Sequence, residues 1–150
     1  MENFLPPTTK RVAYHTCGCV NEDIRERTLC RISLNKDCTK SELSDRIDNL
    51  EYEWDIERCL EAKAASIVLL SSIMGFSKRR CRWFLLTGSV GFFLLQHAMF
   101  GWCPPLPVLR KLGVRTAEEI NAEKAVYKKL RGDFSGEADD ADSLLEMAED

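Results

Sequence analysis

Between Trp83 and Trp102 there is no lysine, arginine, aspartate or glutamate, in a chain where 30% of residues are charged. A gap of that length excludes an ordinary solvent-facing helix. Histidine is scarce: only His15 and His97 occur, far apart in the sequence. No Ser/His/Asp order, glycine-rich phosphate loop or metalloprotease helix motif occurs. The expectation is therefore a protein that is not an enzyme, with no catalytic residues, no metal and no cofactor. Residues 1–11 contain no apolar run of the kind that forms a secretory signal, so the apolar segments further on would have to target the chain themselves. No basic stretch is interleaved with aromatics, which argues against a nucleic-acid partner. There are no internal repeats at solenoid periods.

Cysteine is plentiful but unorganised. Cys17, Cys19, Cys30, Cys38, Cys59, Cys81 and Cys103 make an odd number with no regular spacing, against an extracellular disulfide framework. His15-x-Cys17-x-Cys19 invites a metal or redox reading, but it lacks the spacing of common zinc knuckles and no second paired knuckle follows. Cys30 and Cys38 would complete a four-ligand set only if folding brought them there. Reduced thiols are the plainer expectation.

What the chain does have is two apolar blocks, Ala64–Ser77 and Trp83–Leu109, on either side of the basic loop Lys78-Arg79-Arg80-Cys81-Arg82. The reading is a helical hairpin made for lipid. Trp83 and Trp102 stand roughly 28 Å apart along a helix, close to the ~30 Å hydrocarbon core, and serve as interface anchors. Ser71 and Gly75 are spaced for close helix packing and are expected to meet the Gly88/Gly91 face. Gln96 and His97 are the polar side chains deep in the second block, and Pro104, Pro105 and Pro107 end any regular helix. The first block is short and needs Cys59, Leu60 and Ala62 to complete a span. A soluble hairpin with the same blocks as a buried core is the competing reading.

The flanks read as soluble helix. Residues 1–20 are irregular, with Pro6, Pro7 and Gly18 as breakers. Asn21 is a candidate cap for a helix to about Ser33, and Asn35–Thr39 a break. Ser41 then caps a helix whose Leu43, Ile47, Leu50 and Trp54 form one apolar stripe. No proline lies between Ser41 and Ser77, so this helix is expected to run unbroken into the first apolar block. The stripe is expected to pack on the preceding helix or on a second subunit. Thr116-Ala117-Glu118-Glu119 is a capping box that opens a helix to about Arg131, with Gly132 just beyond. The last fourteen residues carry seven acids and no base, which reads as a disordered, solvating tail. The fold class is thus all-α: a transmembrane helical hairpin over 62–109, a soluble helical segment over 21–61, a capped amphipathic helix over 110–134 and a disordered acidic tail over 135–150.

Glu53-Trp54-Asp55-Ile56-Glu57-Arg58, leading into the first block, and Gln96-His97 followed by Gly101-Trp102-Cys103-Pro104-Pro105-Leu106-Pro107 and Leu112-Gly113 resemble a known family. It is the two-helix bacterial inner-membrane domain of unknown function that also occurs, joined to a rhodanese part, in YgaP-like proteins. The resemblance covers roughly residues 54–116, with Trp54, Asp55, Glu57, Arg58, Pro104 and Gly113 as its motif positions. The Cys-centred loop of a rhodanese is not evident, so persulfide transfer is not carried over. The resemblance implies an inner-membrane hairpin, a homodimer and cytoplasmic termini. The charges near the membrane almost balance: four Lys/Arg in the loop against Arg58, Lys63, Arg110, Lys111 and Arg115 on the other side.

The expected function is a non-enzymatic membrane scaffold or accessory protein whose partners are the bilayer and a second copy of the chain. Two alternatives remain. One is a thiol-based redox or sulfur-handling protein using Cys103 as a reactive thiol near His97. The other is a small transporter subunit with Gln96 and His97 lining a path between protomers.

Overall fold

The computed structural model describes residues 5–135, and the acidic tail falls outside them. Among the described residues seven α-helices follow one another: α1 Arg11–Tyr14, α2 Gly18–Asn35, α3 Lys40–Glu51, α4 Ile56–Lys78, α5 Cys81–Phe100, α6 Leu106–Lys111 and α7 Ala117–Arg131. A 3-10 turn, Asp133–Ser135, closes the described chain, and no strand occurs among the described residues. The fold is all-α and contains two compact units, one of residues 1–25 and 54–118, the other of residues 26–53 and 119–150.

The first unit contains the hairpin. α4 and α5 are its two long apolar helices, long and apolar enough to cross a membrane. They run antiparallel, with Ser71 Oγ 2.6 Å from Thr87 Oγ1. Further toward the loop Gly75 meets Phe84: a Cβ at Gly75 would lie 3.0 Å from that ring. In α5 the less exposed positions Trp83, Thr87, Val90 and His97 share one face, the one turned to α4. Leu69, Leu70, Ile73, Phe76, Leu85, Phe92 and Leu95 are all exposed. Only 17% and 6% of the most apolar windows of the two candidate spans is buried. A soluble protein would hide those side chains in a core; here they form an apolar exterior suited to lipid.

At the open end of the hairpin the chain makes a compact plug. Val12, Ile56, Leu60, Cys103, Leu106 and Leu109 form its buried core, with Cys59, Trp102 and Val114 against it. Gly101 ends α5 in the left-handed region at φ +77°, and its N–H donates to the His97 carbonyl at 2.7 Å. A Cβ there would sit 2.6 Å from Arg11, so α1 packs directly on this turn. Arg110, almost fully buried, donates to the Val114 carbonyl and to Asn21 Oδ1.

The second unit is a small helical assembly. Leu43, Ile47 and Leu50 of α3 share a core with Ile120 and Tyr127 of α7, and Ile32 and Cys38 pack against it. Buried Glu123 accepts hydrogen bonds from Arg31 Nε at 3.1 Å and from the Tyr127 hydroxyl at 3.0 Å. Arg131 grips Asp133 through two nitrogens and donates from its remaining nitrogen to Ser44 Oγ at 2.9 Å.

Several sequence-based expectations need correction. The helix after Asn35 is capped by Thr39, not Ser41: Glu42 N–H donates to Thr39 Oγ1 and Thr39 N–H to Glu42 Oε2, a complete capping box. That helix does not run on into the apolar block. It stops at Glu51, and α4 starts afresh at Ile56 because Asp55, in extended conformation, accepts the Arg58 N–H at 2.8 Å while Ile56 N–H donates to the Arg115 carbonyl. Trp54 is therefore not part of the Leu43–Leu50 stripe; it is half exposed, with the Arg58 guanidinium 4.7 Å from its ring centre. The rest of the stripe does meet the preceding helix, as one expectation had it, since Ile32 of α2 packs on its core, but that core is shared with α7 of the same chain. Nor does Asn21 cap α2, which begins earlier, at Gly18; the Asn21 side chain instead bonds the Ala13 carbonyl and Arg110. Residues 1–20, expected to be irregular, include α1 and the start of α2.

Candidate functional site at the open end of the hairpin

Polar side chains converge where α4 begins and α5 ends. The Asp55 cap fixes the first turn of α4, which places Glu57 toward α5. Glu57 Oε2 lies 2.9 Å from His97 Nε2, and Glu57 Oε1 accepts from Arg11 at 2.8 Å. One carboxylate thus joins the N-terminal segment to the last turns of the second apolar helix. A carboxylate facing Nε2 orients the ring with that nitrogen as the donor.

His97 is 2% exposed, and its Nδ1 has no hydrogen-bond partner. The Cys103 thiol is 4% exposed. Both residues line a cavity of about 370 Å³ between α4, α5 and the proline turn. Its other walls are almost wholly apolar and include Leu60, Ile67, Phe93, Leu94 and Pro104, with Lys63 the single charged lining residue. Glu57 is not in that wall. The ring therefore holds the carboxylate with Nε2, and His97 also contributes to the cavity wall.

The remaining sites expected from sequence separate into those brought together and those kept apart. Ser71 and Gly75 form the close helix contact, but with Thr87 and Phe84 and not with Gly88 and Gly91. Those two glycines have nothing within 4 Å of where a Cβ would be, because the α5 face that meets α4 is the one carrying Thr87. Gln96 is half-buried beside buried His97 in α5. Trp83 lies near Lys78, whose Nζ is 6.0 Å from the ring centre, and Trp102 packs on the plug. Pro104 lines the cavity and Gly113 occupies the left-handed region at φ +87°. Cys17 and Cys19 touch, sulfur to sulfur, at 2.8 Å on the surface. The Cys19 thiol donating to Cys17 sulfur lowers the Cys17 pKa, while Cys19, as the donor, is pushed up. Among the described residues, no three of His, Cys, Asp and Glu are placed to hold a metal ion.

The Glu57–His97 pair and its Arg11 partner were not foreseen. Sequence had both residues in view, Glu57 as an interfacial motif position and His97 as an intramembrane polar group. An ionisable group at each of the two ends that a hairpin must bring together was the available signal.

An all-α hairpin with an apolar exterior, close small-residue contacts inside and polar side chains converging at its open end fits a membrane-associated protein with two candidate spans. Within it, residues 55–119 match the family model for the transmembrane domain of YgaP-like inner membrane proteins, and no rhodanese domain is detected. The matched stretch begins at the Asp55 cap and ends just inside α7, so it takes in the hairpin, the proline turn and Cys103. No curated protein and no solved structure gives a significant match.

Proposed function

We propose that the protein is a non-enzymatic, homo-oligomeric accessory or scaffold protein of the inner membrane, crossing it twice with both termini in the cytoplasm. The observation that carries this reading is the pair Gly88 and Gly91. Both lie in an apolar helix, and neither is used for packing within the chain. In lipid, small residues let a second helix approach closely, so an unused glycine pair fits the approach of another copy. Gly88→Leu and Gly91→Leu should leave the hairpin intact, since the space is open, and should convert the oligomer to monomer in detergent, read by sedimentation. If both variants keep the wild-type mass, the packing reading fails.

A second reading, thiol chemistry at Cys103, is favoured by one specific observation: the buried thiol lines the same cavity as a buried histidine whose Nε2 faces a carboxylate. Nucleophile, base and orienting acid gathered at one site are the parts from which an activated thiol is built. If Cys103 reacts with N-ethylmaleimide no faster in the wild type than in His97→Gln, this reading fails.

A further inference from the structure

The cavity beside Cys103 has an unusual composition for a site next to a nucleophile. Its wall is nearly all hydrocarbon, yet among its lining residues is His97, whose buried Nδ1 has no hydrogen-bond partner. A water-filled polar cleft would suit a small hydrophilic electrophile, whereas this cavity suits a hydrocarbon chain with a reactive carbonyl at one end. Its location between two lipid-facing helices gives such a chain a path from the bilayer. We propose that Cys103 is an S-acylation site: the cavity takes the chain of a long-chain acyl thioester, and the acyl group passes to Cys103 sulfur. The inference rests on the thiol reading of Cys103 and deepens it by naming the electrophile.

The step balances without any oxidant or reductant. Cys103 sulfur attacks the thioester carbonyl carbon while His97 Nδ1 takes the thiol proton. The donor's carbon–sulfur bond breaks, and the leaving thiolate receives that proton from His97. The products are Cys103 thioester and the free donor thiol. Glu57 lies on the other nitrogen of the ring; it is a positioning residue that holds Nε2 and so fixes the imidazole. Arg11 holds the other carboxylate oxygen and fixes Glu57 in turn.

The test uses the full-length protein in detergent micelles with palmitoyl-coenzyme A as the probe and acetyl-coenzyme A as the short-chain comparison. Mass spectrometry should find a hydroxylamine-labile palmitoyl group on Cys103, formed at least about tenfold faster than on exposed Cys81 and faster than acetylation. Cys103→Ser removes it. His97→Gln and Glu57→Gln slow it at least about tenfold, and Glu57→Asp recovers part of the rate, which a merely structural role would not give. Ile67→Trp fills the cavity without touching thiol or imidazole, so it should lose palmitoylation and keep the wild-type rate with N-ethylmaleimide. His97-dependent maleimide labelling without palmitoyl transfer overturns the acyl proposal and spares the thiol reading. Labelling by neither, or palmitoylation that ignores His97, overturns the proposal outright.

Discussion

Gly101 shows how much depends on one backbone conformation. Its φ of +77° is a region that L side chains rarely adopt, and the space where a Cβ would sit belongs to Arg11. Gly101→Ala should therefore cost at least about 1 kcal/mol from backbone strain alone, with the displacement of α1 added, and thermal unfolding in detergent should detect it. A retained melting temperature would mean that α1 does not pack here. At this scale the sequence was legible for chemical type more than for partner. Gly75 and Ser71 were recognisable as packing residues, yet their partners are Phe84 and Thr87, because register between two helices depends on side-chain fit that spacing alone does not encode. Glu57 and His97 are forty residues apart, and no local pattern links them.

At the scale of elements, capping decided the boundaries. The Thr39–Glu42 box begins α3, and the Asp55 cap restarts the chain as α4. Thr39→Ala should cost about 1 kcal/mol, measured by urea unfolding of the helical signal. The hydrogen bond from Thr39 N–H holds the Glu42 carboxyl below its ordinary value. A depressed carboxylate contributes stability that is present above its unfolded pKa and lost as pH falls through the folded one. Acidification below about pH 4.5 should thus weaken α3, and Glu42→Gln should show a smaller loss over the same interval. The two apolar helices were legible from length, the absence of charge and the flanking tryptophans, and α7 from its Thr116 start. The break at residues 52–55 was not, because the chain there has neither proline nor glycine. What stops the helix is tertiary: Ile56 gives its N–H to the Arg115 carbonyl, a partner that only the folded unit provides.

At the scale of the whole molecule, composition announced a polar–apolar–polar division but not two units built from interleaved segments. Each unit takes residues from both sides of the hairpin sequence, and α2 contributes its start to one and its end to the other. The orientation proposed above is testable because exposed thiols mark both ends of the hairpin: Cys81 at the loop and Cys17 near α1. With cytoplasmic termini, a membrane-impermeant maleimide applied to intact cells should label Cys81 and leave Cys17 unlabelled until the cells are opened. The reverse pattern would place the termini outside.

The packing of Arg11 on Gly101 also orders events in time. Arg11 leaves the ribosome about 90 residues before its partner turn exists, a wait of roughly 5–20 s at common rates of synthesis. Glu57 itself is made about halfway through that interval and His97 only near its end, so α4 is begun before the imidazole that its first turn will face exists. The plug thus joins early-made residues to the turn after the second apolar helix and cannot close before that turn exists. A nascent chain halted before residue 101 has both apolar helices but lacks the seal, so the halted chain and the finished protein differ at the open end and not along the helices.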